Sequence, residues 1–109
     1  MSHAANTDQL LRELAAELAC SGDAEEVYEV LFALLTPRER EGIALRWQLV
    51  CLLEKGATQR AIAAQLGVSL CKITRGSHEL KCGPKGFGKA VRRAVRRQMG
   101  GAKGAGQEG

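Results

Sequence analysis

The sequence is poor in the residues that make a large core, a covalent framework or a catalytic centre. Only four of its 109 residues are aromatic, Tyr28, Phe32, Trp47 and Phe87, so the interior must be built from Leu, Val, Ile and Ala. Proline occurs twice, at Pro37 and Pro84, and neither interrupts a helical pattern. No apolar run is long enough to span a bilayer, and no basic segment followed by a long apolar one opens the chain. A cytoplasmic protein without a membrane partner is expected. Cys20, Cys51, Cys71 and Cys82 are scattered, with no Cys-x-x-Cys pair; in a reducing compartment they are free thiols. Cys71, His78 and Cys82 match no common zinc spacing, so no metal site is expected. No nucleophile–base pair, paired carboxylates or phosphate-cradling glycine loop is visible, which speaks against an enzyme and gives no catalytic residue.

What is present is helical. Ala, Leu, Arg and Glu abound and no alternating strand pattern stands out, so the class is all-α with about six helices. Leu10, Leu11, Leu14 and Leu18 repeat at helical spacing, and Asp23 is placed to cap a second helix with Val27, Val30, Leu31, Leu34 and Leu35 on its buried face. Thr36-Pro37-Arg38-Glu39 spells a capping box with proline at the first helical position. The third helix then runs to about Lys55, with Ile43, Trp47, Val50 and Leu53 as its main stripe and Trp47 a core or interface residue. Leu45, Leu49 and Leu52 occupy other faces. A helix apolar nearly all round, in so short a chain, implies that a partner subunit covers part of it. One domain is expected over residues 7–99, with disordered segments at 1–6 and in the glycine-rich 100–109.

Residues 58–77 read as a helix-turn-helix. Ile62, Ala63 and Leu66 share one face, Gly67 supplies a left-handed stop, and Ser69 caps the next helix. That second helix should bury Leu70 and Ile73 and present Cys71, Lys72 and Thr74 outward, where a major groove would meet them. The charge distribution suits such a partner. Residues 1–80 hold eight basic and eleven acidic groups, a net of −3, whereas residues 81–109 hold eight basic groups and one acid, a net of +7. A last helix over 87–99 sets Phe87, Val91, Val95 and Met99 at four-residue spacing among Lys89, Arg92, Arg93, Arg96 and Arg97. Such a helix is either a solvated face or a source of extra phosphate contacts.

Leu-Thr-Pro-Arg-Glu-Arg-Glu (35–41), Arg46, Gln59-Arg60, Leu66-Gly67, Ile-Thr-Arg-Gly-Ser (73–77) and Leu80-Lys81 together resemble the bacterial tryptophan repressor family, over roughly residues 35–84. The 35–41 segment also resembles the opening of sigma-factor and response-regulator output domains, but those lack Thr-Arg-Gly-Ser and have a shorter interval to the reading pair. The resemblance implies an intertwined all-helical homodimer that represses transcription at an operator DNA, with L-tryptophan as corepressor and no prosthetic group. It implies that Arg75 pairs with the ligand carboxylate and that Arg46 and Arg75 flank the indole. Backbone carbonyls near Ala33 and Leu35 of the partner would hold the ammonium group, Thr36 would lie beside the carboxylate, and Gly76 would let the ligand approach the backbone. On residue type alone, Arg46 and Arg75 would be solvated or ion-paired.

On the DNA side the resemblance points to Gln59 and Arg60 at the first helix start, Ser69, Leu70, Cys71, Lys72 and Thr74 on the reading helix, and Lys81. Arg60 suits a guanine edge; Lys72 and Lys81 suit phosphates. The chain departs from the family pattern in four places. The turn Gly56-Ala57-Thr58-Gln59 is one residue shorter, Lys72 and Glu79 each stand where a small polar residue is usual, and the last helix is basic. Glu79 would either repel the tryptophan carboxylate or pair with its ammonium group. The competing expectation is therefore a ligand-independent helix-turn-helix regulator of the same fold.

Overall fold

Local signals start and stop each helix. The computed structural model describes residues 3–105, with side chains over 6–100. It holds six helices and no strand among the described residues: α1 (His3–Ser21), α2 (Ala24–Leu34), α3 (Pro37–Glu54), α4 (Gln59–Leu66), α5 (Leu70–Cys82) and α6 (Lys85–Ala105). Asp23 caps α2 by accepting from the Glu25 N–H at 3.2 Å, and Glu25 and Glu26 fill its first turn, where negative charge is favoured. The capping box of α3 closes in both directions. The Thr36 N–H donates to Glu39 Oε1 at 2.9 Å, and the Glu39 N–H donates to Thr36 Oγ1 at 3.2 Å. At its other end α3 stops in a Schellman turn: the Ala57 N–H reaches the Leu52 carbonyl at 3.1 Å, and the Gly56 N–H reaches Leu53 at 3.0 Å. Gly56 takes φ 97° there, a conformation that disfavours any side chain.

The chain divides into two compact units, one up to Arg40 and one from Glu41, where the sequence reading expects a single domain. In the first, α1 lies against α2. Leu14, Leu18, Val27 and Val30 are half-buried, and no described residue of this unit is buried. Leu10, Leu11, Tyr28, Phe32 and Leu34 stay 47–59% exposed. The end of α2 is fastened by Arg40, whose Nη1 donates to the carbonyls of Phe32 at 2.7 Å and Leu35 at 3.0 Å. Its guanidinium carbon also lies 3.7 Å from the centre of the Phe32 ring, a cation–π contact.

The second unit owns the core. Leu49, Val50 and Cys51 of α3, Ile62 of α4, Ile73 of α5, and Val91 and Val95 of α6 are its buried apolar residues. Ile62, Ile73 and Val91 are completely enclosed, which stabilises the unit by about 1.5–3 kcal/mol for each. Two glycines let helices meet closely. A Cβ on Gly76 would lie 2.6 Å from Leu49 Cδ2, and one on Gly88 would lie 3.3 Å from the Leu80 carbonyl oxygen. Thus α5 sits tight on α3, and α6 on the end of α5.

Four boundaries and placements differ from the sequence reading. α1 begins at His3, so residues 3–6 are helical rather than frayed, and α6 reaches Ala105, taking up six of the ten residues of the glycine-rich tail. Met1, Ser2 and 106–109 lie outside the described residues. A Cβ on Gly100 would touch nothing within 4 Å. α5 continues past Ser77 to Cys82, because no backbone break intervenes until Gly83. Finally, Ile43 and Trp47 are 45% and 41% exposed, outside the core of this unit, which leaves the interface as the remaining expectation for Trp47. The core side of α3 is set by Leu49, Val50 and Cys51, one turn further on. No helix among the described residues is long and apolar enough to cross a membrane.

Candidate functional site

The helix pair α4–α5 is shaped by three local devices. Thr58 Oγ1 accepts from the Ala61 N–H at 3.1 Å and caps α4. Gly67, at φ 67°, ends it and returns its N–H to the Ala63 carbonyl at 2.9 Å. Ser69 then caps α5, its hydroxyl accepting from the Lys72 N–H at 3.3 Å. Ile62 and Ile73 face inward at zero exposure, which leaves the other sides of both helices to solvent.

On that outer side Gln59 and Arg60 stand exposed at the start of α4. Ser69, Leu70, Cys71, Lys72 and Thr74 stand exposed at the start of α5, and Lys81 is exposed in its last turn. Leu70 corrects the sequence reading, which placed it in the core: it is 57% exposed. It occupies the first turn of α5, where Val68 and Ile73 already supply the inward contacts. Leu70, Cys71, Thr74, Arg75 and His78 line a shallow open groove of about 500 Å³ along α5. The sequence reading considers His78 only as a metal ligand, yet its place one turn after Thr74 puts it on the same face of α5, which helical spacing alone indicates.

Behind α5 lies a second, deeper cavity of about 680 Å³, walled by α3 and α5. Arg46, Arg75 and Gly76 all border it, so the structure brings together three of the six residues assigned to ligand binding. Its apolar lining includes Ile43, Trp47, Leu49 and Val68, a wall suited to a flat aromatic ligand. Lys72 and Glu79 border it too. The sequence reading gives Lys72 to DNA alone, whereas the structure sets it, exposed, at the rim of this cavity. A Cβ on Gly76 would run into Leu49 of α3, so this glycine also serves the packing of α5 on α3.

Ala33, Leu35 and Thr36 belong to the other compact unit. Ala33 and Thr36 are exposed. The Leu35 carbonyl already accepts from Arg40, but a carbonyl has two lone pairs and can take a second donor. Cys51, on the buried side of α3, has its thiol pushed above the usual range by burial, an effect partly offset by the nearby Lys55 ammonium. No group of three or more His, Cys, Asp or Glu able to hold a metal is found among the described residues.

Comparison with known proteins agrees with this geometry. The family described as "Trp repressor protein" matches residues 9–95, most of the chain and all of α2 to α5. A "Trp operon repressor homolog" of Pasteurella multocida is 47% identical over 60 residues, covering 54% of this chain and 59% of that one. A protein of the same description from Actinobacillus succinogenes is 50% identical over 54 residues, 49% of this chain and 54% of its own. One from Vibrio parahaemolyticus is 38% identical over 71 residues, 64% of this chain and 69% of its own. The chain thus spans little more than half the length of the first two relatives. A family match over residues 9–95, on a fold of six helices with a capped helix-turn-helix, assigns the chain: it belongs to the Trp repressor protein family.

Proposed function

We propose that the protein is a homodimeric, sequence-specific transcriptional repressor that acts in the cytoplasm and is gated by L-tryptophan. One observation carries the reading: Arg75 borders both the groove on the outer face of α5 and the cavity behind it. A ligand whose carboxylate pairs with Arg75 would fix the reading helix against α3 from behind. Its indole would lie along Trp47 and Ile43 with Arg46 on one face. Gln59, Arg60, Ser69, Leu70, Cys71, Lys72, Thr74 and Lys81 would then meet the duplex, and the ligand acts only through tighter binding to the DNA-competent state. Ala33, Leu35 and Thr36 of a second copy would complete the site, as the family resemblance implies. The dimer is supported by the first compact unit, which buries none of its described residues while leaving six large apolar side chains open.

Titration calorimetry tests the gate. L-tryptophan should bind the native protein, and Arg75→Ala should lose that binding by at least tenfold while keeping its helical spectrum. Equal affinity in the variant would remove Arg75 from the site. Glu79, on the cavity wall, favours a second reading, because its carboxylate would repel the carboxylate of an amino-acid ligand. Unchanged operator affinity with and without tryptophan, and no heat of binding, would establish a ligand-independent regulator of the same fold.

A further inference from the structure

Helix α6 divides cleanly into two sides. At about 100° per residue, Phe87, Val91 and Val95 fall within a sector of about 80°. Val91 and Val95 are buried in the core and Phe87 packs against it. Lys85, Lys89, Arg92, Arg93, Arg96 and Arg97 occupy the opposite side, all exposed, in a band that spans about 140°. The stretch 85–97 contains no acidic residue. Among the described residues no carboxylate lies within ion-pair distance of any of the six. The band runs about 18 Å along the helix, the axial rise of about five nucleotides in one DNA strand.

We propose that the outer face of α6 is a second, sequence-independent binding surface for the phosphate backbone of duplex DNA, separate from the helix-turn-helix. Unneutralised cations fixed on a helix attract a polyanion, and each phosphate they meet releases condensed counterions. Four of the six are arginines, whose planar guanidinium suits phosphate oxygens. An anionic membrane is disfavoured, because surface helices that bind lipid insert an apolar face, and the apolar face of α6 is already spent on the core. The choice of DNA among polyanions rests on the reading of α5, against which α6 packs through Gly88 and Leu80. A duplex seated on α5 therefore brings phosphates to the unit that carries this band.

The fourfold variant R92Q/R93Q/R96Q/R97Q tests the surface, with R92Q/R96Q and R93Q/R97Q as half-strength controls should the full change unfold. All four side chains point to solvent, so the melting curve should hold. Fluorescence anisotropy with a labelled duplex of arbitrary sequence, over a salt series, should show weaker binding for the variant. Its slope of log affinity against log salt should be shallower by about 2–4, and the four-lysine replacement should retain the native slope. The same loss should appear in a Lys72→Ala background, which separates α6 from the reading helix; if Lys72→Ala alone has no effect while the α6 loss persists, α5 fails as the reader and α6 stands. An unchanged slope in a folded fourfold variant overturns the proposal. So does a loss that depends on duplex sequence, or a loss confined to phosphatidylserine vesicles.

Discussion

A methyl group at Gly76 would gain about 1 kcal/mol of helix propensity and meet Leu49 Cδ2 at 2.6 Å. Leu49 is only 3% exposed, so it has little room to swing, and overpacking costs about 1–3 kcal/mol. Gly76→Ala should therefore lower stability by about 1 kcal/mol in denaturant unfolding; a variant as stable as the native protein would show that Leu49 yields freely. The close crossing of α3 and α5 at this glycine leaves no mark in residue spacing. Cys51 is the other residue whose environment decides its behaviour. Its raised thiol pKa means that the folded state favours the neutral form. That contribution to stability is complete below the unfolded thiol pKa, about 8.5, and is lost as pH rises toward the folded value. The stability difference between the native protein and Cys51→Ala should thus shrink from pH 8 to pH 10, and a difference constant over that range would contradict the burial effect.

At the level of helices, the caps were the most legible features of the chain. Thr36 with Glu39, Thr58, Gly67 and Ser69 were each readable because a cap is chemistry within four residues. The ends of α5 and α6 and the burial of Leu70 and Trp47 were not, because they depend on what lies across from them. Ser69→Ala removes the hydroxyl that accepts from Lys72 and should cost about 1 kcal/mol, with Ser69→Asp restoring most of it in thermal melts. Equal melting temperatures for all three proteins would mean that the first turn of α5 finds another acceptor. The pairing of Arg46 with Arg75 across one cavity came from the family resemblance. Residue type alone favoured two solvated arginines.

For the whole molecule, the first unit sets the terms. Two helices that bury no described residue cannot offset the entropy of ordering their chain. The apolar surface of Leu10, Leu11, Tyr28, Phe32 and Leu34 must find cover elsewhere, and a second copy is the cover proposed. The apolar circumference of α3 hinted at this from the sequence; the openness of α1 and α2 did not show in their helical spacing. Folding of an obligate dimer depends on protein concentration, so the melting temperature should rise by several degrees over a hundredfold increase in concentration. A constant value, with a monomer in sedimentation, would remove the dimer and with it the shared site.

Arg75 stands with one side toward the cavity and the other toward the groove, and thermodynamics then allows no one-way traffic. If an occupied cavity tightens the grip on a duplex by some factor, a gripped duplex must tighten the hold on the occupant by that same factor. Copies already seated on an operator would keep their corepressor at concentrations where unbound copies have released it, so repression would lift later than a free-protein affinity suggests.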